Sequence, residues 1–274
     1  MTFQPVVISS GLTGWRFLQS TLETQKTAFE TSAVIQSDVE YFRKNIRSVG
    51  SAADLVKDRR LLSVALRAFG LAEDIGNTFF IRKILEDGTS RPDALANRLA
   101  DSRYKALSEA FGFGDLPVAR TQLSYFANEL VERFHQTAFE VAVGEQDNDM
   151  RLAMNTRREL SGLALSGGRP DTLWFRIMGN PPLREVFEVA LGLPRSFGQL
   201  DLDQQLSVFR DKASRQLGTG EVADFADDRT VEKLIQRFFV RRQVTNNSLP
   251  SASIALTLVQ AIPRSSPFPG LRKG

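Results

Sequence analysis

The sequence predicts an all-α, multihelical protein made of two tandem copies of a helical module joined by a long helix. Apolar residues recur at three- and four-residue spacing along most of the chain, as on the buried face of an α-helix, whereas the alternation of a β-strand is scarce. Gly70, Gly112 and Gly192 each follow an apolar run, at positions where a left-handed residue commonly ends a helix. Short motifs that occur twice in the same order predict the duplication.

The repeat depends on aromatic and glycine motifs. Tyr41-Phe42-Arg43 returns as Trp174-Phe175-Arg176. Further on, Leu66-Arg-Ala-Phe-Gly-Leu71 resembles Glu188-Val-Ala-Leu-Gly-Leu193. Because the matches keep their order and share a glycine, duplication explains them better than the chance echoes that helical sequences produce.

The expected organisation follows the repeat along the chain. Residues 1–14 are rich in Ser, Thr and Gly and are expected to form a flexible N-terminus. Helical repeat 1 covers residues 15–116 and helical repeat 2 covers residues 117–245, with a continuous helix from Pro117 to Val143 joining the copies. No Gly/Ser-rich or Pro-rich linker separates them. Residues 246–274 are expected to hold a C-terminal helix and a disordered tail.

Several helix starts can be predicted from local chemistry. Ser51 and Asp54 have the form of a capping box, and Asp58 is expected to cap the helix that follows it. Pro92 is expected to be a first helical residue, where its missing N–H costs nothing. Asp147 is expected to accept backbone N–H bonds at the start of another helix.

The segment from Ile254 to Ile262 is apolar on nearly all sides, so water is a poor environment for it as a helix. One interpretation is a buried helix docked on the core. The other is a helix that binds a partner protein. The partner-binding candidates on this segment are Ile254, Leu256, Leu258 and Val259.

Composition excludes several classes of function. The chain has no cysteine, which excludes disulfides, thiolate catalysis and Cys-based metal sites. The net charge is only +3, and the basic residues are mixed with acids, so a nucleic-acid-binding face is not indicated. The N-terminus does not have the form of a secretory signal. No apolar run reaches the roughly 18 residues of a membrane span.

The motif search assigns no catalytic, cofactor-binding or metal-ligating residue. No Gly-x-Ser-x-Gly turn and no phosphate-binding glycine loop occurs. The acidic run from Glu145 to Asp149 lacks the glycine and glutamate of an EF-hand loop. The single histidine, His135, is expected to lie on a helix surface. No cofactor is expected.

A family resemblance adds to this interpretation. It is carried by eight segments: Val39–Ile46, Asp58–Leu62, Ala68–Leu71, Leu99–Tyr104, Ala142–Asp147, Met150–Ala153, Trp174–Gly179 and Asp201–Leu206. In these segments the chain resembles the alphaproteobacterial family catalogued as "domain of unknown function 1217". Members of that family are often encoded among flagellar and motility genes, so the resemblance implies a role in flagellar assembly or function. It implies no activity and no functional residues.

The leading hypothesis is a non-enzymatic helical interaction protein with a protein partner, connected with the flagellum. The first alternative is an enzyme with a cryptic carboxylate-based site, which requires a deep pocket with two converging acids. The second is a nucleic-acid-binding helical protein, which requires a coherent positive face. The expected location is the cytoplasm, and the alternative is export through the flagellar secretion route.

Overall fold

A computed structural model describes the backbone of residues 3–260 and the side chains of residues 3–194 and 196–245. In this part of the chain the apolar periodicity corresponds to thirteen α-helices. No β-strand occurs in this part of the chain, so the all-α, multihelical prediction is confirmed. The helices are α1 (Gly11–Glu30), α2 (Ala33–Asn45), α3 (Ala52–Lys57), α4 (Arg59–Ala68), α5 (Thr78–Asp87), α6 (Leu95–Arg98), α7 (Ser102–Phe111), α8 (Phe126–Gly144), α9 (Asn148–Leu165), α10 (Pro170–Met178), α11 (Pro181–Ala190), α12 (Leu202–Leu217) and α13 (Asp228–Gln260). Short 3₁₀ turns lie at Ile46–Ser48, Ala72–Gly76, Arg120–Gln122, Arg195–Gln199 and Val222–Ala226.

Helix α9 lies at the centre of the fold. It packs against α8, α11, α13 and the turn at Val222–Ala226, so it is buried on several faces. Most of its buried residues are apolar, but Asn155 and Thr156 are buried too. The Thr156 hydroxyl donates to the carbonyl of Leu152 at 2.8 Å, which satisfies it within the helix. In contrast, the Oδ1 atom of Asn155 has no hydrogen-bond partner.

Aromatic side chains fill the core around Trp174 of α10, a helix that packs against α9. Trp174 is fully buried, and its ring centroid lies 5.5 Å from that of Phe187 and 6.0 Å from that of Phe209. Its indole Nε1 donates to the carbonyl of Gly220 at 2.9 Å. Most buried apolar residues of the described chain form one continuous cluster, which includes residues of both predicted repeats.

The two glycine motifs end their helices in the same way. Gly70 and Gly192 have φ angles of +68° and +63°, which a side chain would strain. In segment 66–71 the last N–H donates to the first carbonyl at 2.9 Å, and in segment 188–193 the matching distance is 2.8 Å. Both are the six-to-one bond of a Schellman motif. Duplication of the whole module, with its domain boundaries, stays a prediction.

The predicted continuous helix from Pro117 to Val143 is wrong at its start. Helix α8 begins at Phe126, and the preceding residues contain the 3₁₀ turn Arg120–Gln122. The buried hydroxyl of Thr121 donates to the carbonyl of Val49 at 2.6 Å, which ties this connection to a distant segment. A continuous helix would break that bond.

The segment before α1 makes specific contacts. Its Val6 N–H donates to Gln25 Oε1 at 2.7 Å, and Gln25 Nε2 donates to the Val6 carbonyl at 3.2 Å. Gln146 Nε2 also donates to the carbonyl of Pro5. Helix α1 already begins at Gly11. The flexibility expected of residues 1–14 stays a prediction.

The predicted caps at Ser51, Asp58 and Asp147 are confirmed. The Ser51 hydroxyl accepts from the Asp54 N–H at 3.2 Å. The Asp58 carboxylate accepts from the N–H groups of Arg60 and Leu61, the second and third residues of α4, at 3.0 and 3.1 Å. The Asp147 carboxylate accepts from the start of α9 at 2.9 and 3.1 Å. These side chains fix where α3, α4 and α9 begin.

The helix start predicted at Pro92 is wrong, because α6 begins only at Leu95. The reason is a competing turn. The backbone N–H groups of Thr89 and Ser90 donate to the Asp115 carboxylate, at distances between 2.8 and 3.0 Å. Pro92 then lies in a turn, where the Ala94 N–H donates to the carbonyl of Arg91 at 3.1 Å and Asn97 Nδ2 donates to the same carbonyl at 2.8 Å.

The C-terminal prediction falls only partly on described residues. Helix α13 extends to Gln260 and therefore includes Ile254, Leu256, Leu258 and Val259. Their side chains lie outside the described part of the structure, as do residues 261–274, where the tail was expected. Among the described residues, no helix combines the length and apolar character that crossing a membrane requires.

The expected surface position of His135 is wrong. Its side chain is only 11% exposed, because α8 turns it towards α1, where Nδ1 lies 3.8 Å from Glu30 Oε2. Its Nε2 is buried and has no hydrogen-bond partner. Burial lowers the pKa of His135 below its ordinary value of 6.5, although Glu30 and Glu132 oppose the shift.

Acidification is therefore expected to destabilise the fold through His135. The unfolded chain takes up a proton near pH 6.5, whereas the folded imidazole stays neutral to lower pH. The stability that His135 contributes is complete above that pH and is lost as the pH falls through it. Urea unfolding between about pH 7.5 and about pH 5.5 measures this, and the decline should be smaller in His135→Gln. An equal decline in both proteins would contradict the assignment.

Candidate functional site

A cleft of about 760 Å³ opens along one face of α9. The end of α4, the starts of α7 and α11, and α8 form its other walls. We call this space the central cleft. Its charged and amide lining residues include Arg67, Arg103, Arg133, Glu140, Glu145, Arg151, Asn155, Arg158 and Glu159. Its volume lies in the range of typical ligand sites, about 300–1,000 Å³.

Helix α9 contributes a polar stripe to the central cleft. Asn148, Arg151, Asn155 and Arg158 follow one another at spacings of three and four residues, so they share a helix face. This stripe matches none of the catalytic or ligand-binding motifs considered for the sequence. The sequence does contain a signal for it, because the four polar residues are regularly spaced on a helix whose other faces carry residues such as Leu152 and Leu160. That spacing indicates a functional face only when α9 is known to lie at the centre of the fold.

Two acids of the central cleft, Glu140 and Glu159, share the partner Arg158. The buried Glu140 carboxylate accepts hydrogen bonds from Arg158 Nε at 2.7 Å and from Arg158 Nη2 at 2.9 Å, so the two form a bidentate ion pair. Arg158 also donates to Glu159, which lies 3.5 Å from Arg133 Nη2. Burial alone would lower the pKa of Arg158. Its hydrogen bonds and ion pairs with Glu140, and to a smaller extent with Glu159, outweigh burial and raise the pKa. Neither carboxylate is left unpaired for proton transfer.

Three other arginines of the cleft are engaged as well. Arg133 Nε donates to the carbonyl of Ala68 at 3.0 Å, and Arg103 donates to the carbonyl of Gly70. Both contacts satisfy carbonyls at the end of α4, where a cation is favoured. Arg67 Nη1 lies 3.3 Å from Asp38 Oδ2. Burial lowers the pKa of Arg67 and of Arg133.

Arg151 differs from these arginines. Its Nε and Nη2 donate to Asn148 Oδ1 at 2.9 and 2.7 Å, and no carboxylate among the described residues lies within 4 Å of it. Its aliphatic part crosses α8 at Gly144, where an added Cβ would approach Arg151 Cδ to 2.5 Å. Gly144 therefore allows Arg151 to lie flat against the wall of the cleft.

Asn155 is the unsatisfied polar residue of the site. The residue is 9% exposed, lines the central cleft one turn after Arg151, and its Oδ1 has no hydrogen-bond partner. A buried polar atom without a partner costs about 1–3 kcal/mol. Such an atom in the wall of a cleft marks a position where a bound group can supply the missing bond.

The acids near the start of α9 have structural roles. Asp147 caps α9, and Asp149 Oδ1 lies 3.1 Å from Arg242 Nε. Burial raises the pKa of Asp149, although Arg242 opposes the shift. Within the described ranges, no three His, Asp or Glu side chains are grouped as ligands of one metal ion.

Comparisons with known proteins agree with this architecture. The sequence profile described as "Protein of unknown function (DUF1217)" matches residues 68–231, more than half of the chain and the part that carries most of the central cleft. The X-ray structure of protein AGR_C_984 from Agrobacterium tumefaciens is similar, with 25% identity and a TM-score of 0.72 over 89% of this chain and 98% of that chain. No curated protein matches the chain. The chain belongs to the DUF1217 family of proteins of unknown function.

Proposed function

We propose that this protein is a non-enzymatic helical interaction protein that binds a protein partner during flagellar assembly or motility. The observation that supports binding over catalysis is that Glu140 and Glu159 are both paired with Arg158. Both acids line the central cleft, and Arg158 donates to each of them. The cleft therefore offers a polar surface for recognition and lacks an unpaired acid at that point.

The enzymatic alternative requires a carboxylate that can take up and release a proton near neutral pH. Arg158 donates to both Glu140 and Glu159, so both of these acids are already engaged in ion pairs. The nucleic-acid alternative requires a coherent positive face, but the lining of the central cleft mixes arginines with Glu73, Glu140, Glu145, Glu159 and Glu185. Both alternatives are less well supported than partner binding.

The flagellar part of the proposal rests on the family resemblance and the genetic neighbourhood that it implies. A clean deletion of the gene in the native host tests it. We expect reduced swimming or defective filaments, restored by the wild-type gene on a plasmid. Normal swimming and normal filaments in the deletion strain would sink this part of the proposal.

Two measurements identify the partner and its compartment. Affinity capture of the tagged protein from the native host, followed by mass spectrometry, should recover a flagellar component. Fractionation of wild-type and export-deficient cells separates a cytoplasmic protein from one that leaves through the flagellar route. Ile254, Leu256, Leu258 and Val259 stay candidates for a second contact with the partner.

A further inference from the structure

We propose that the central cleft binds an extended segment of the partner protein, with Asn155 pairing to a backbone amide and Arg151 to a carboxylate of that segment. This inference rests on the proposed function, because it assumes a protein partner. It adds the site, the form of the ligand and the residues that recognise it.

The carboxamide of Asn155 is the first recognition element. A primary amide has both donors and an acceptor, as a peptide unit has, so one side chain can make two bonds to an extended backbone. Half a turn of the carboxamide exchanges its oxygen and nitrogen, which lets it match either direction of the bound segment. In the free protein Oδ1 of Asn155 is buried without a partner, so binding supplies a bond that folding leaves unmade.

Arg151 is the second element. It stands four residues before Asn155 on the same face, a rise of about 6 Å along α9. An extended chain advances about 3.3 Å per residue, so the acid should lie about two residues from the paired amide. The planar guanidinium suits bidentate recognition of a carboxylate, and Arg151 has no ion pair in the described structure to give up.

The rim of the central cleft restricts the segment further. Glu73 and Glu145 line the cleft and are exposed, without an ion pair among the described residues. They repel a run of acids and favour Lys or Arg near the ends of the segment. The expected ligand is therefore a single acidic side chain in an otherwise neutral or basic stretch.

Site-specific cross-linking in the native host tests this inference. A benzophenone amino acid replaces Glu145 at the rim, and the matched control replaces Arg215, which is exposed on α12 outside the cleft. We expect position 145 to capture one contiguous stretch of one protein, and position 215 to capture none of it. Capture of the same stretch at both positions, or of scattered stretches at position 145, would overturn the inference.

The captured stretch, made as a synthetic peptide, then tests the two residues by calorimetry. We expect Asn155→Leu and Arg151→Gln each to weaken its binding on the order of tenfold to a hundredfold. Asn155→Leu should leave the melting temperature unchanged or raise it, because it removes an unpaired polar group. Unchanged affinity in both variants contradicts the inference, and so does strong destabilisation by Asn155→Leu, which would make Asn155 a structural residue.

The two proposals fail separately. If the deletion strain is defective and the Asn155→Leu and Arg151→Gln proteins restore full swimming, the proposed function stands and the cleft inference is wrong. If the deletion strain swims normally while position 145 still captures one peptide, the site is correct and the flagellar role is wrong.

Discussion

Trp174→Ala is expected to lower the free energy of unfolding by about 3–5 kcal/mol. The indole is fully buried, touches the rings of Phe187 and Phe209, and its Nε1 donates to the Gly220 carbonyl. Alanine leaves a cavity beside α9 and an unsatisfied carbonyl, and both effects act in the same direction. Urea unfolding followed by circular dichroism measures the loss.

The matched control for this prediction is Phe79→Ala. Phe79 is 82% exposed, so its removal should change stability by no more than about 0.5 kcal/mol. Trp174→Phe should fall between the two, because it keeps a ring and loses the hydrogen bond. Comparable losses in Trp174→Ala and Phe79→Ala would contradict the described core.

Arg158→Met is expected to cost about 3–5 kcal/mol, because it leaves the buried Glu140 carboxylate without its partner. Glu159 loses a bond as well, although Arg133 still lies near it. The double variant Arg158→Met/Glu140→Leu should recover most of the loss, since a buried pair can be replaced by apolar residues at little cost. Equilibrium unfolding of the single and double variants tests both statements.

The control for the ion pair is Arg215→Met. Arg215 is 76% exposed and pairs with Asp211 one turn away on α12, so its removal should cost at most about 0.5 kcal/mol. If Arg158→Met were as mild as Arg215→Met, the pair with Glu140 would not be a fixed part of the fold. Failure of the double variant to recover would show that Arg158 stabilises the protein through other contacts.

Features that depend on a few neighbouring residues could be predicted from the sequence. Asp58 and Asp147 cap helices whose N–H groups lie two and three residues away, and Gly112 ends α7 with a φ of +65°. Helix content follows from the same local information. The energies involved are local, so no knowledge of the tertiary structure is needed.

Features that depend on distant contacts could not be predicted. The segment before α8 leaves the helical path because Thr121 bonds to Val49, which lies 72 positions earlier. The His135 side chain is only 11% exposed because α8 turns it towards Glu30 of α1. Asn155 becomes notable only when α8, α11 and α13 are known to surround α9. In each case the deciding neighbour is far away in sequence.

One affinity measurement tests most directly whether the central cleft is the binding surface. It compares how tightly the partner captured from the native host binds wild type, Arg151→Glu and Arg215→Glu. Charge reversal at Arg151 should weaken binding on the order of a hundredfold or more, while Arg215→Glu should bind as wild type does and both variants should melt as wild type does. Equal affinity of all three proteins would contradict the assignment of binding to the cleft along α9.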